Sequence, residues 1–323
     1  MILQTMIFQW ILAMSIMMAV STSFWFALWM ALEMNMMIFI PMMNSKNFLS
    51  SNSMVFYYII QSLASSLFFL SSIMSPMFMT QNLNFIMIIS MLIKLAAAPF
   101  HSWFPQISEG MNFFSFFILS TFQKIIPLHI ITLINNNTLV PFIILSSIVG
   151  SLGGLSQTSY KKILAFSSIS HLSWIMTLIM INQNFWMIYF TIYTMILIMI
   201  IFWLKNNNSL HIINSNSMKM SFFNKMLLFS FFLSLGGMPP FLGFLAKWVA
   251  IIMISKKLPL ILLILIISSL LNLFFYMRTM FPMILNFNIQ QKTPTLPQNY
   301  QSLSLFIINF MSITILTPII ISM

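Results

Sequence analysis

The chain has 323 residues, 60% of them hydrophobic, and its only acids, Glu33 and Glu109, stand against 13 lysines and arginines. Charged residues make up 5%, whereas a soluble domain carries roughly 25%; a water-soluble fold is excluded and an integral membrane protein is indicated. The absence of cysteine excludes disulfides and leaves no thiolates for an iron–sulfur cluster. The net charge of +11 is spread too thinly to form a nucleic-acid patch.

Apolar runs of the ~20 residues that cross a bilayer recur along the whole chain. They lack the period-two alternation of an outer-membrane barrel, so the expected fold is an all-α polytopic bundle. Eleven spans are predicted. The first, 3–21, follows no basic region or cleavage pattern, so the chain is expected to be mature from Met1. The second, 23–43, holds Glu33 in "ALEMN"; the third, 54–74, follows the polar connector "NSKNFLSSNS". The fourth, 83–99, carries Lys94 and runs into "AAAPF", with His101 and Glu109 in the loop beyond. The fifth, 111–133, carries Lys124 and His129, and the sixth covers 139–155. The seventh, 160–181, contains His171 in "SSISHLSW" and the eighth covers 184–204. The ninth, 222–254, is long because it includes "SLGGMPPFLGFLAKW", with Lys247; 258–278 and 303–322 complete the set.

The basic residues test the count. With eleven spans, one side holds Lys46, Lys161, Lys162, Lys205, Lys219, Lys225, Arg278 and Lys292, and the other only Lys256 and Lys257. This positive-inside bias places the N-terminus on the positive side and the C-terminus opposite. Methionine, isoleucine, phenylalanine, asparagine and serine are abundant, and residues with G-starting codons are scarce. That usage fits an AT-rich genome that reads AUA as methionine, as animal mitochondria do, so the expected setting is the inner mitochondrial membrane with the N-terminus in the matrix and the C-terminus in the intermembrane space.

Lys94, Lys124, Lys247 and Glu33 fit no loop. Each charge at bilayer centre costs ~2.5–3.5 kcal/mol even on the lenient insertion scale, unless it snorkels to the interface or faces a polar interior. Desolvation disfavours the charged form of an amine and a nearby carboxylate favours it. A Glu–Lys pair followed by further lysines is therefore a row of proton sites suited to stepwise transfer through water, and a poor metal site. Proline interrupts the fourth span just after Lys94 and the ninth just before Lys247. Counted in fives, these are the fourth members of two blocks, 3–133 and 139–279, which an odd number of spans would invert relative to each other; span 303–322 stands apart. Interrupted helices in matched positions mark ion pathways in inverted-repeat transporters, although a packing kink explains either break alone. The second break is expected to offer unpaired backbone groups to water, beside Lys247.

"ALEMN", "IKLAAAPFHSWFPQISEG", "TFQKIIPL", "GGLSQTSYKKILAFSSISHLSW" and "LSLGGMPPFLGFLAKW" occur in this order. Together they resemble the subunit 2 family of mitochondrial NADH dehydrogenase, one of the antiporter-like proton-pumping subunits of complex I. The resemblance covers about residues 3 to 280, and the eleven spans resemble the animal, arthropod-like form. It implies that Glu33 pairs with Lys94, that Lys124 is the central lysine of a hydrophilic axis, and that Lys247 leads towards the exit or a neighbouring subunit. His171, His101 and Glu109 are accessory candidates, each with a structural role as its alternative. The resemblance also implies that NADH, FMN, iron–sulfur clusters and ubiquinone belong to other subunits, with no cofactor in this chain. The implied partners are antiporter-like subunit 4, subunit 4L, accessory subunits and lipid, with no nucleic acid. The activity implied is that of a subunit of an H+-translocating NADH:ubiquinone reductase; a monovalent cation/proton antiporter and a purely structural membrane subunit are the rivals.

Overall fold

A computed structural model of the chain describes residues 2–45, 47–78, 81–134, 137–181, 184–206, 222–285 and 309. The regular elements among them are helices, and six helical stretches, one of them Phe113–Ile134, are long and apolar enough to cross a membrane: this is a multi-pass membrane protein. Lys46, Lys219, Lys292, His211 and all of the predicted span 303–322 except Asn309 lie outside the described residues.

The first compact unit, Met1–Ser146, contains α1 (Ile2–Ser21), α2 (Trp25–Met43), α3 (Phe48–Phe78) and α4 (Gln81–Leu95). These are followed by the short α5 (Trp103–Gly110), α6 (Phe113–Ser120) and α7 (Phe122–Ile134). Part of the segment expected to be a connector before the third span is helical instead. Ser50, Ser51 and Ser53 each return their hydroxyl to the carbonyl three residues back, at 2.6, 2.7 and 2.8 Å. A hydroxyl satisfied in this way no longer opposes the helix, so α3 begins well before its apolar run. The fifth span is divided at Thr121, whose φ of −123° and ψ of −83° are not helical. Its hydroxyl bonds the Phe117 carbonyl at 2.7 Å.

The second unit, Ser147–Met323, takes up the chain within α8 (Val140–Leu155). It continues through α9 (Tyr160–Ile181), α10 (Phe185–Asn206), α11 (Phe222–Gly236), α12 (Leu242–Ser255) and α13 (Pro259–Leu285). Helix α9 is its core: 18 of its 22 residues are buried, among them Ser167, Ser168, Ser170, His171, Ser173 and Thr177. Packing on every side explains why α9 lacks an apolar stripe, since a helix with no face towards lipid needs none.

Cationic side chains cap helix ends in this unit, where the last carbonyls lack intrahelical partners and carry the negative end of the dipole. Lys257 donates to the Ile181 carbonyl at the end of α9, at 3.0 Å. Arg278 donates to the carbonyls of Leu155, at the end of α8, and of Gln157. Lys161 and Lys225 are buried in the first turns of α9 and α11. Replacing Arg278 with methionine removes both bonds, and hydrogen exchange at the end of α8 is expected to rise by roughly a factor of ten, the ~1.5 kcal/mol of one charge-assisted bond. Unchanged exchange there would show that the cap contributes nothing.

Candidate functional site

Two helix breaks organise the buried cations, and their backbones follow one pattern. In the first unit α4 ends at Leu95. Ala96 turns left-handed with φ +57°; the N–H groups of Ala96 and Ala97 return to the carbonyls of Ile93 and Leu92 at 3.2 and 3.0 Å. In the second unit α11 ends at Gly236, and Gly237 has φ +78°. The N–H groups of Gly237 and Met238 return to Ser234 and Leu233 at 3.0 and 3.1 Å. Both closures are Schellman-type stops that satisfy orphan carbonyls. A cis X–Pro bond follows each, at Ala98–Pro99 and at Pro239–Pro240. Glycine suits the left-handed position, whereas alanine at Ala96 costs about 1–2 kcal/mol.

Lys94 is the penultimate residue of α4 and is 7% exposed. The segment after the break folds back beneath it: the Trp103 indole N–H donates to the Ile93 carbonyl at 3.1 Å. Glu33 lies on α2. Glu33 itself is half-buried, while the three lysines are buried. An apolar run cannot reveal which side of a helix its neighbours cover, so the partial exposure of Glu33 was not readable in sequence.

Lys124, 4% exposed, is the third residue of α7. Its ammonium stands 5.4 Å from the centroid of the Phe104 ring, over the face of an aromatic supplied by α5. Helices α2 and α4 both pack on α7, so the first unit gathers Glu33, Lys94 and Lys124 onto three adjoining helices. Two defects flank Lys124: the break at Thr121 and Pro127 inside α7. Pro127 has no N–H to return to the Gln123 carbonyl. Only the proline was a readable signal.

Lys247, 6% exposed, lies in α12, and its Nζ donates to the Gly236 carbonyl at 2.6 Å. The second break was expected to offer bare backbone groups to water; Lys247 occupies that carbonyl itself. Gly237 leaves it the room, because a Cβ there would stand 2.6 Å from Lys247 Cδ. His171 is buried in α9, its Nδ1 hydrogen-bonded to the Tyr189 hydroxyl at 2.8 Å and its ring centroid 5.0 Å from that of Tyr193. A small cavity touches His171, Tyr189 and Tyr193 on one side and Ser234, Gly243 and Ala246 at the second break on the other.

The remaining candidates are peripheral. His101 donates from Nδ1 to the Pro99 carbonyl at 3.2 Å within the turn after the first break. Glu109 is exposed near the end of α5. His129 lies on α7 beyond Pro127, half-buried. No group of three His, Cys, Asp or Glu converges among the described residues in the manner of a metal site.

A family model described as NADH:quinone oxidoreductase/Mrp antiporter, transmembrane, matches residues 21–273. NADH-ubiquinone oxidoreductase chain 2 of Anopheles gambiae is 40% identical, over 95% of this chain and 94% of its own. The protein of the same name from Rhipicephalus sanguineus is 41% identical over 85% of this chain and 88% of its own. Among solved structures, respiratory complex I from Thermus thermophilus with bound aureothin contains a chain of the same fold. Its TM-score is 0.82 at 18% identity, over 95% of this chain and 77% of that one. The Mrp complex from Dietzia sp. DQ12-45-1b contains another, with a TM-score of 0.75 at 17% identity over 88% of this chain and 61% of its own. An all-helical bundle with lysines buried beside two matched breaks thus meets a family match over most of its length, and the chain belongs to the NADH:quinone oxidoreductase/Mrp antiporter transmembrane family.

Proposed function

We propose that this chain is a core membrane subunit of a proton-translocating NADH:ubiquinone oxidoreductase, as its relatives' names indicate, and that Glu33, Lys94, Lys124 and Lys247 are its proton relay. The observation that carries the reading is the burial of three lysines, each at or near an interruption of a membrane helix. Three ammonium groups at membrane depth cost roughly 8–10 kcal/mol on the insertion scale, which a bundle without need of charge avoids by using methionine. A change of charge near Glu33 alters its hold on Lys94, and a proton passes through water from Lys94 to Lys124 and onward to Lys247. His171 extends the path through its bond to Tyr189, while His101 and Glu109 order the entrance loop.

In this reading electrons move through carriers held by other subunits, and no cofactor binds here. The fold has eleven spans: two inverted five-helix repeats, 3–133 and 139–279, and a final helix, 303–322. The chain resides in the inner mitochondrial membrane with its N-terminus in the matrix and its C-terminus in the intermembrane space. Antiporter-like subunit 4 and subunit 4L are its neighbours, and the half-buried Glu33 favours a protein neighbour over lipid on that side of α2.

The deciding experiment replaces Lys94 with methionine in the assembled complex. Protons moved per NADH oxidised are expected to fall while NADH oxidation, relieved by an uncoupler, continues. Unaltered stoichiometry would overturn the relay. The likeness to the Mrp complex favours one second reading, a monovalent cation/proton antiporter; it requires the chain to exchange Na+ or K+ for protons when reconstituted alone.

A further inference from the structure

Two motif residues remain without a role in this relay, Asn35 of "ALEMN" and Gln123 of "TFQK", and they meet across 88 positions of sequence. The Gln123 amide donates from Nε2 to Asn35 Oδ1 at 2.9 Å and to the Asn35 carbonyl at 3.4 Å. Its Oε1 accepts from the Tyr57 hydroxyl at 3.2 Å. Asn35 and Tyr57 are almost wholly buried. The Tyr57 ring is wedged edge-on between Phe39 and Trp103, at centroid distances of 5.2 and 6.3 Å. Three helices, α2, α3 and α7, are therefore joined by one chain of neutral hydrogen bonds.

Amides and a phenol hold no mobile charge, so this cluster is poorly suited to relay work and well suited to fixing distance. Gln123 is the residue before Lys124, in the first turn of α7. The helix is broken at Thr121 behind it, and Pro127 offers no N–H to the Gln123 carbonyl ahead. Side-chain bonds add to the backbone bond from the Lys124 N–H to the Thr121 carbonyl, at 2.9 Å, in holding this turn. On α2, Asn35 is two residues from Glu33, which at 3.6 residues per turn is about 200° around the axis. The two groups point to opposite sides, so a roll of α2 at Glu33 moves Asn35 through the same angle.

We infer that the Asn35–Gln123 carboxamide pair, braced by Tyr57, is a positioning element that ties the first turn of α7, and with it Lys124, to the helix that carries Glu33. The inference rests on the relay reading of Lys124. It is tested on the assembled complex in proteoliposomes, with proton uptake and NADH oxidation recorded together for Asn35→Leu, Gln123→Leu, their double variant and Lys124→Met. Each single variant is expected to lower proton uptake about two- to tenfold at unchanged NADH oxidation, the range for one buried hydrogen bond. The double variant is expected to be no worse than the poorer single one, because both remove the same interaction. Unaltered uptake in the single variants, or a double loss equal to the product of the single losses, overturns the inference while leaving the relay standing. Normal uptake in Lys124→Met overturns the relay and this inference with it. Should leucine block assembly, Gln123→Asn withdraws the amide by one methylene and Tyr57→Phe deletes one donor, and both are expected to give the same loss of coupling.

Discussion

Methionine in place of Lys124 is expected to abolish proton translocation through this subunit and to leave the complex assembled. Methionine nearly matches the length of the lysine stem and removes a cation whose insertion costs ~2.5–3.5 kcal/mol. The lost contact with the Phe104 face is worth about 0.5–2 kcal/mol, so stability is preserved or improved. Function follows a different rule, since a positioned proton donor or acceptor contributes typically 10²–10⁴-fold. Arginine at the same position separates charge from proton transfer. A guanidinium keeps the positive charge and the aromatic contact but is never deprotonated in a protein. If Lys124 carries protons, Lys124→Arg fails as Lys124→Met does. If the residue only anchors α7 through Phe104, arginine pumps at the normal ratio of protons to NADH, and the relay reading is lost.

The arrangement around Lys124 also shows where sequence reading stops. Spans, prolines and out-of-place lysines are local signals, and they located α2, α9, α10 and the interruptions after Lys94 and before Lys247 to within a few residues. The Thr121 break has no proline or glycine of its own, and a threonine hydroxyl bonded four residues back looks the same in sequence as any helical threonine. The meeting of Asn35 with Gln123 depends on how α2 lies against α7, which no periodicity within either helix records. Lys247 is a third case: reaching the Gly236 carbonyl requires α12 to lie beside the end of α11, bringing a residue 11 positions away onto the end of the preceding helix. The same contact explains why a lysine is tolerated here. The C-terminal carbonyls of α11 supply the partner that apolar surroundings withhold.

On either side of the second break, Gly236 and Gly243 are expected to give opposite outcomes when enlarged. Gly243→Val should prevent assembly, because its Cβ would fall within the Ser234 carbonyl, a backbone group at the end of α11 that no rotamer change can clear. Relief requires α12 to move away from α11, at a cost of about 3 kcal/mol or more for overpacking of this kind. That movement would also withdraw Lys247 from Gly236 and open the cavity beside His171 and Tyr193. Gly236→Ala is the control: the atoms nearest its Cβ belong to the Leu273 side chain, at 3.4 to 3.7 Å, in ordinary contact. Alanine at a helical position recovers roughly 0.5–1 kcal/mol, so this variant should assemble at least as well as the parent when both are compared by native gel and thermal unfolding. Equal tolerance of the two substitutions would mean that α12 does not rest on Ser234, and the close approach that brings Lys247 to the helix end would have to be abandoned. Failure of Gly243→Val with survival of Gly236→Ala would locate the requirement for glycine in the contact between the two half-helices and not in the flexibility of the break.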